Sequence, residues 1–434
     1  MTQSGSQLIE QLRQRGLIAQ ISGDSELESH LDQSRTLYCG FDPTADSLHI
    51  GSLVPLLILK RFQMAGHRPI ILVGGSTGLI GDPSFKAEER KLNTPEVVAD
   101  WVEKLRRQTS QFVDFDQGDN AAIVVNNLDW TEQMTALDFL RDVGKHFSVN
   151  NMISKESVKQ RLHREGAGIS FTEFAYSLLQ GLDFAELNRL FGCTLQVGGS
   201  DQWGNIISGI DLSRRQNQAQ CFALTAPLVT KADGSKFGKT ETGTVWLDPN
   251  KTSPYSFYQF WLNVADADVY KFLRYFTFMS LDEIEQIEAA DAAADARPQA
   301  QRVLACEATK LVHGEAGLNA ALRITDALFS GDPNALSEQD FKQLRQDGLS
   351  SSVLADHDLQ ENPLTSLLTD CGMASAGREV KDALGRNSVF VNGQSQGSSD
   401  NMNGASIFAF SAALYGRFFL VRLGKKKYHI FERV

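Results

Sequence analysis

The chain reads as an α/β protein built on a parallel sheet, with a helical segment and a small α+β unit behind it. Three observations predict this. Thr36–Phe41 and Arg68–Gly74 are short apolar runs of strand type, with an apolar stretch of helical length from about Gly51 to Met64 between them. Strand, helix, strand is the β-α-β unit of a parallel sheet. Nearly everything from Tyr255 to Leu328 has helical period. The polar, poorly periodic stretch Asp332–Pro363 then separates that region from a basic tail. At 434 residues the chain exceeds one ordinary core. The expected organisation is a sheet domain over 1–250, a helical domain over 251–331, a linker over 332–363 and a terminal unit over 364–434.

The elements follow in order. Ser6 to Ile21 predicts an amphipathic helix, with Leu8, Ile9, Leu12 and Leu17 at helical spacing. The strand Thr36–Phe41 passes through Gly40 into the loop Asp42-Pro-Thr44. A helix then starts near Gly51, with Ser52 as a cap type and Pro55 in the first turn, where its missing N–H costs little. Gly66 marks its end. After the second strand comes the glycine-rich loop Gly74–Pro83. Thr94–Phe112 and Met134–Val143 read as helices and Ala121–Asn126 as a strand. Leu195–Gly198 is a short apolar run that breaks into the polar loop Gly199–Gly204, and Cys221–Leu228 and Val245–Leu247 look extended. The tail predicts a helix near Gly377–Leu384 and strands at Val389–Gly393, Phe418–Leu423 and Tyr428–Phe431.

Composition narrows the function. Apolar content of 42% and charged content of 22% are those of a folded globular protein. The longest apolar run, Leu53–Leu59, is stopped by Lys60 and Arg61, so no membrane span is expected. The N-terminal residues lack a basic start and an apolar segment, which predicts a cytoplasmic protein. Five scattered cysteines without a C-x-x-C pair argue against a disulfide framework and against zinc. A net charge of −11 argues against broad nucleic-acid binding, DNA included. From Leu364 to Val434, however, nine basic residues face five acidic ones, a local +4 on a body of −15. That asymmetry fits local contact with nucleic acid and fits an unevenly charged surface equally well.

Two segments point to chemistry. His49-Ile-Gly51 runs into the helix Gly51–Met64, whose N-terminus offers partial positive charge and free N–H groups. Gly51 lacks a side chain, so a flat base can approach the backbone. Lys236-Phe-Gly-Lys239-Thr240 carries two mobile cations on a glycine-containing loop. Together they describe a site that grips a triphosphate and neutralises it as a bond breaks. Each alone is equally an ordinary surface feature. Gly74–Pro83 has neither a Gly-Lys-Ser/Thr ending nor the G-x-G-x-x-G order, so it is no recognised phosphate loop. Its Asp82 lies beyond the carboxyl end of a strand, where open parallel sheets bind ligands. Lys86 and Arg90 follow at i, i+4 spacing. Tyr176, Gln180 and Asp183 stand at i, i+4 and i+7, one helical stripe able to line a polar pocket or simply to face solvent.

Taken jointly, Y-C-G-F-D-P-T-A-D-S-L-H-I-G (Tyr38–Gly51), G-L-I-G-D-P-S (Gly78–Ser84), I-S-F-T-E-F (Ile169–Phe174), G-G-S-D-Q-W-G-N (Gly198–Asn205) and K-F-G-K-T (Lys236–Thr240) resemble the bacterial tyrosyl-tRNA synthetases, of the class I aminoacyl-tRNA synthetases. The resemblance covers almost the whole chain. It implies a Rossmann-type catalytic domain, a helical domain and a C-terminal RNA-binding domain of the alpha-L type. It also implies a homodimer, with Phe171 at its interface, and L-tyrosine, ATP with Mg2+ and the tRNA for tyrosine as partners.

The resemblance assigns residues as well. Tyr38 and Asp183 bond the tyrosine hydroxyl, Asp82, Tyr176 and Gln180 hold its ammonium group, and Gln202 lies near its carboxylate. Asp201 takes the ribose, and Gly40, Asp42, Gly51 and Ser52 belong to the ATP site. Thr44 and His49 meet the γ-phosphate, while Lys86, Arg90, Lys236, Lys239 and Thr240 close on pyrophosphate. Two departures stand out. Ser52 occupies the place of the second histidine of the class signature, and K-F-G-K-T replaces the class consensus K-M-S-K-S. A site that pairs the phenol strands its own polar groups when phenylalanine enters; this family is the standard instance of that rule, so no editing domain is expected. The rival expectations are a tryptophanyl-type relative and a non-catalytic RNA-binding protein that retains the fold.

Overall fold

The structure is a computed structural model that describes residues 3–82, 94–116, 118–155, 158–159, 162, 169–235, 237–240, 243–294, 298–355, 359, 362–402 and 404–434. The described chain gathers into two compact units. One comprises Met1–Asp248 with Ala265–Ala300, the other Pro249–Val264 with Gln301–Val434.

The first unit is built on a six-stranded sheet. Its strands are β1 (Gln20–Ile21), β2 (Thr36–Phe41), β3 (Arg68–Val73), β4 (Ile123–Asn126), β5 (Cys193–Gly199) and β6 (Phe222–Ala226), in the order β1-β6-β5-β2-β3-β4. β2 to β6 run parallel, and the two-residue β1 pairs antiparallel with β6. The chain moves outward from β2 through β3 to β4, then returns to β5 on the other side of β2. The order therefore reverses between β2 and β5, which opens a crevice at their carboxyl ends. The crossover from β2 to β3 is the helix Leu53–Met64, whose Leu53, Val54, Leu56, Leu57, Ile58, Leu59 and Phe62 are all buried. Such a continuous apolar run suits a helix covered on more than one side.

The helix Phe171–Phe191 carries one wall of the crevice. Ser170 caps it by accepting from Glu173 N at 3.2 Å, and Gly192 ends it in the left-handed region at φ 62°. It packs tightly on the helix Trp203–Asn217, where a Cβ on Gly209 would lie 2.9 Å from Phe184 Cβ. Phe184 in turn meets the Tyr38 ring edge-on, with centroids 5.2 Å apart.

Three expectations change. The first helix spans Gly5–Gln14, and Gly16 at φ 75° turns the chain toward β1. The four helices expected as one domain divide between the units. Asp266–Phe276 and Leu281–Ala293 belong to the first unit. There Arg15 donates to the carbonyls of Arg274 and Met279, and Arg61 to that of Thr277. Pro254–Leu262 and nearly all of Ala300–Ser330 belong to the second. The third change concerns 332–363, expected as a linker. It holds the helix Glu338–Gln343 and, after the two-residue strands β7 (Lys239–Thr240) and β8 (Gly243–Thr244), the next strand of the chain, β9 (Ser350–Leu354).

β9 joins β10 (Val389–Val391), β11 (Gln394–Gln396), β12 (Phe418–Leu423) and β13 (Lys427–Arg433) in a second sheet of order β11-β10-β12-β13-β9, where β9 runs parallel to β13. Asn392 and Gly393, both at positive φ, make the tight β10–β11 hairpin. Alternate residues of β12 feed two cores. Phe419 and Val421 pack with Leu368, Val380 and Phe431, whereas Phe418 and Leu420 pack with Ile324, Phe341 and Leu344.

Gly209→Ala is expected to cost the first unit about 1–3 kcal/mol, because the new methyl meets the Cβ of Phe184 and neither group can swing away. The check is a lower urea midpoint for that unit.

Candidate active site

A cavity of about 840 Å³ lies at the carboxyl ends of β2 and β5. Its lining includes Tyr38, Gly40 and Asp42 from β2 and the loop after it. Gln196 comes from β5, and Asp201 and Gln202 from the turn after it. The stripe Tyr176, Gln180 and Asp183 faces this cavity from the helix Phe171–Phe191, so helical periodicity is realised as a wall of a pocket. Thr44, His49, Gly51, Ser52 and Asp82 complete the set brought together here.

One end of the cavity is a buried carboxylate with its donors. Asp183 accepts from Trp130 Nε1 and from Asn127 Nδ2, each at 3.0 Å. Burial pushes the Asp183 carboxyl up to about 7, while the two hydrogen bonds act in the opposite direction. The Tyr38 hydroxyl is fully buried and has no hydrogen-bond partner among the described residues, and burial followed by the charge of Asp183 raises its pKa well above the ordinary phenol value. Gln180 Oε1 and Gln196 Oε1 are likewise buried and unpartnered. Buried polar atoms of this kind carry a penalty unless something pairs with them.

The middle of the cavity is acidic. Tyr176 donates to Asp42 Oδ2 at 2.7 Å, and Thr77 donates to Asp42 Oδ1 at 2.6 Å. Gln202 Nε2 donates to Asp82 Oδ2 at 2.8 Å and to Asp201 Oδ2 at 3.1 Å. Burial raises the Asp201 carboxyl against the bond from Gln202. Asp42, Asp82 and Asp201 together make a wall suited to a cation or to hydroxyl donors.

The far side is the His49 turn. Ile50–Ser52 forms a single 3-10 turn before the helix Leu53–Met64. The cap is His49, whose Nδ1 accepts from Gly51 N at 3.0 Å, and not Ser52, which makes no side-chain cap bond. Ser52 is already helical in its backbone, so its hydroxyl cannot reach back over the first turn. A Cβ on Gly51 would lie 2.8 Å from His49 Cε1, so glycine is what lets the ring fold over the turn. The lysine loop is tied to the same turn by backbone. Val245 N donates to Gly238 O, Ile50 N to Val245 O and Leu247 N to Leu48 O. Gly238 sits at φ 79°, and a Cβ there would meet Ile50 Cγ2 at 2.5 Å. Phe237 packs on Phe272 and Phe276, with ring centroids 4.8 and 5.4 Å away. Lys86, Arg90 and Lys236 lie outside the described residues, and for Lys239 and Thr240 the backbone alone is described.

Sequence reasoning missed Asn127, Trp130, Thr77 and Gln196. Asn127 had a signal: the Asn126-Asn127 pair is a polar break at the carboxyl end of β4. In the tail, Lys425 and Lys426 are exposed on the β12–β13 turn, and Lys427 pairs with Glu379 at 3.2 Å. Arg422 covers the Phe390 ring at 4.0 Å and buries its Nε. Among the described residues no three His, Cys, Asp or Glu side chains gather to hold a metal, and no helix is long and apolar enough to cross a membrane.

The chain can be set beside known proteins at this point. Residues 31–330 match the family of class I tRNA synthetases (W and Y), and residues 340–431 match the tyrosine–tRNA ligase SYY-like C-terminal domain. The tyrosine–tRNA ligase of Aliivibrio fischeri strain MJ11 is 57% identical over 427 residues, 98% of each chain. That of Escherichia fergusonii is 58% identical over 426 residues, again 98% of each. Among solved structures, a C-terminally truncated Aspergillus nidulans mitochondrial tyrosyl-tRNA synthetase aligns with a TM-score of 0.67 at 29% identity, covering 74% of this chain and 94% of that one. By fold, by motif and by full-length similarity, the chain belongs to the class I tRNA synthetases of the tryptophan and tyrosine group, with a C-terminal domain of the tyrosine–tRNA ligase type.

Proposed function

We propose that this cavity joins L-tyrosine to ATP and passes the tyrosyl group to tRNA. The protein is an aminoacyl-tRNA synthetase of tyrosine–tRNA ligase function, and the tryptophanyl-type and non-catalytic readings are not favoured. One observation carries the assignment of residues: the unpartnered Tyr38 hydroxyl stands with Asp183 at one end of the cavity, and the acidic wall of Asp42, Asp82 and Asp201 stands beside it in the middle. A phenol with an ammonium group at its far end answers both. On this reading Tyr38 and Asp183 hold the substrate hydroxyl, Asp82, Tyr176 and Gln180 hold the ammonium group, and Gln202 lies by the carboxylate. ATP takes Gly40, Asp42, Gly51, Ser52 and Asp201.

Activation then needs no protein nucleophile. The tyrosine carboxylate oxygen bonds to the α-phosphorus, the bond from that phosphorus to the bridging oxygen breaks, and pyrophosphate leaves with the electron pair. The enzyme must align the two reactants and stabilise the leaving anion. Thr44, His49, Lys86, Arg90, Lys236, Lys239 and Thr240 are suited to that charge. Contacts made only as the lysine loop closes lower the barrier without tightening ground-state ATP. A terminal ribose hydroxyl of tRNA next attacks the acyl carbon and AMP departs. Magnesium enters with ATP on phosphate and water oxygens. We take the protein to be a cytoplasmic homodimer. Phe171, 76% exposed at the start of its helix, supports a partner surface there.

Purified protein should release pyrophosphate from ATP in a tyrosine-dependent exchange assay, and Asp183→Ala should lose at least about a hundredfold in kcat/KM for tyrosine. An unchanged Asp183→Ala would remove the pocket assignment. The phenol needs the Asp183 carboxylate as acceptor, and that group titrates near 7 with its charged form at higher pH. The KM for tyrosine should therefore rise as pH falls from 8 through 7 to 6, while that for ATP stays flat. Replacing Lys425 and Lys426 together by alanine should weaken tRNA charging and flatten its salt dependence by roughly one to two units of log–log slope, with exchange unaffected.

A further inference from the structure

The glycine-rich loop Gly74–Pro83 has no phosphate motif, and the reading above gives its first glycine no task. Its surroundings supply one. Thr77 Oγ1 donates to Asp42 Oδ1 at 2.6 Å and accepts from Asn127 Nδ2 at 3.0 Å. The second hydrogen of that amide goes to Asp183 Oδ2 at 3.0 Å. Asn127 Oδ1 accepts from Ser76 N at 2.8 Å. Tyr176 donates to the other oxygen of Asp42. An unbroken chain of hydrogen bonds thus joins Asp183, Asn127, Thr77, Asp42 and Tyr176, from one end of the cavity to its acidic middle.

The polarity of this chain is forced. A carboxylate accepts only, so Thr77 must spend its single proton on Asp42. Its oxygen can then only accept from Asn127, which turns the amide nitrogen toward Thr77 and Asp183 and the amide oxygen toward Ser76 N. Thr77 and Asn127 are buried, so no solvent offers an alternative partner. The backbone makes room for the central bond. A Cβ on Gly74 would lie 2.1 Å from Asp42 Oδ1 and 2.3 Å from Thr77 Oγ1.

We propose that Thr77 is a positioning residue for the amino-acid substrate: its hydroxyl locks Asp42 and Asn127 in one register, so that Tyr176 and Asp183 are set together, and Gly74 is glycine to leave space for that bond. This rests on reading the cavity as the tyrosine site. Thr77 also lines the cavity, but its proton is spent on Asp42 and its lone pair on Asn127, so it acts on the substrate through these neighbours. Threonine in place of valine is needed for its proton and its lone pair, not for its shape.

The test compares Thr77→Val, Thr77→Ser and Gly74→Ala in the full chain, using tyrosine-dependent exchange with separate KM values for tyrosine and ATP, and thermal melts. Thr77→Val and Gly74→Ala break the same bond by different means. Both are expected to raise the tyrosine KM about ten- to a hundredfold and to leave the ATP KM within about twofold, while Thr77→Ser stays within about threefold of the parent for both. A purely structural role would lower kcat and the melting temperature and leave both KM values in place. That result overturns the proposal, as does a Thr77→Ser no better than Thr77→Val. Should Thr77→Val fail to fold, Gly74→Ala and Thr77→Ser decide by the same KM split. Parent protein without tyrosine-dependent exchange would overturn the reading of the site itself, whereas an active parent with unaffected variants overturns the role of Thr77 alone.

Discussion

Burying a carboxylate in the middle of a fold imposes conditions on everything near it. Asp183 is fully enclosed, and its ionised form is tolerable only with donors aimed at both oxygens. Those donors come from Asn127 and the short helix Leu128–Thr131 beyond β4, on the opposite side of β2 from β5. That segment must therefore be held close to the helix that carries Asp183. The sheet order does this, since β4 lies beyond β3 while the Phe171–Phe191 helix returns the chain to β5. Fold topology and pocket chemistry are thus one problem: the reversal of strand order brings residues far apart in sequence around a single charge.

A second demand is met by backbone. The lysine loop, on the proposed reading, has to be mobile enough to close on a triphosphate and tethered well enough to close on target. Here the loop containing Phe237 is seated against two phenylalanines of the Asp266–Phe276 helix and continues, through Gly238 and Val245, into ladder bonds with the turn that carries His49. Asp268, from the same helix, accepts from Ala232 N at 2.9 Å, and Lys271 donates to Thr230 O at 2.9 Å. The helix that sequence periodicity groups with the second unit thereby serves the first.

Much of this was legible in the amino-acid order. The β2–helix–β3 unit was readable because apolar runs of strand and helix length leave few alternatives. The Tyr176–Gln180–Asp183 stripe was readable because 3.6-residue periodicity puts the three on one face. Partners were not readable. Asn127, Trp130 and Thr77 are polar or aromatic residues of common type, and their roles arise from contacts 50 or more positions away in the chain. β9 was missed because Ser350-Ser-Ser-Val-Leu354 is polar and largely exposed, the signature of a loop; it becomes a strand through its partner β13, not through its own pattern.

The place of β9 has a consequence for how this tail can be handled. It shields the outer side of β13, and the polar residues that made it look like a connection are what let it face water without inviting another strand. A version of the tail that begins after it leaves the N–H and C=O groups of β13 open as a template for association with other molecules. A cut at Pro363 removes that cover, whereas one ahead of Ser350 keeps it but parts Phe418 and Leu420 from Ile324, Phe341 and Leu344.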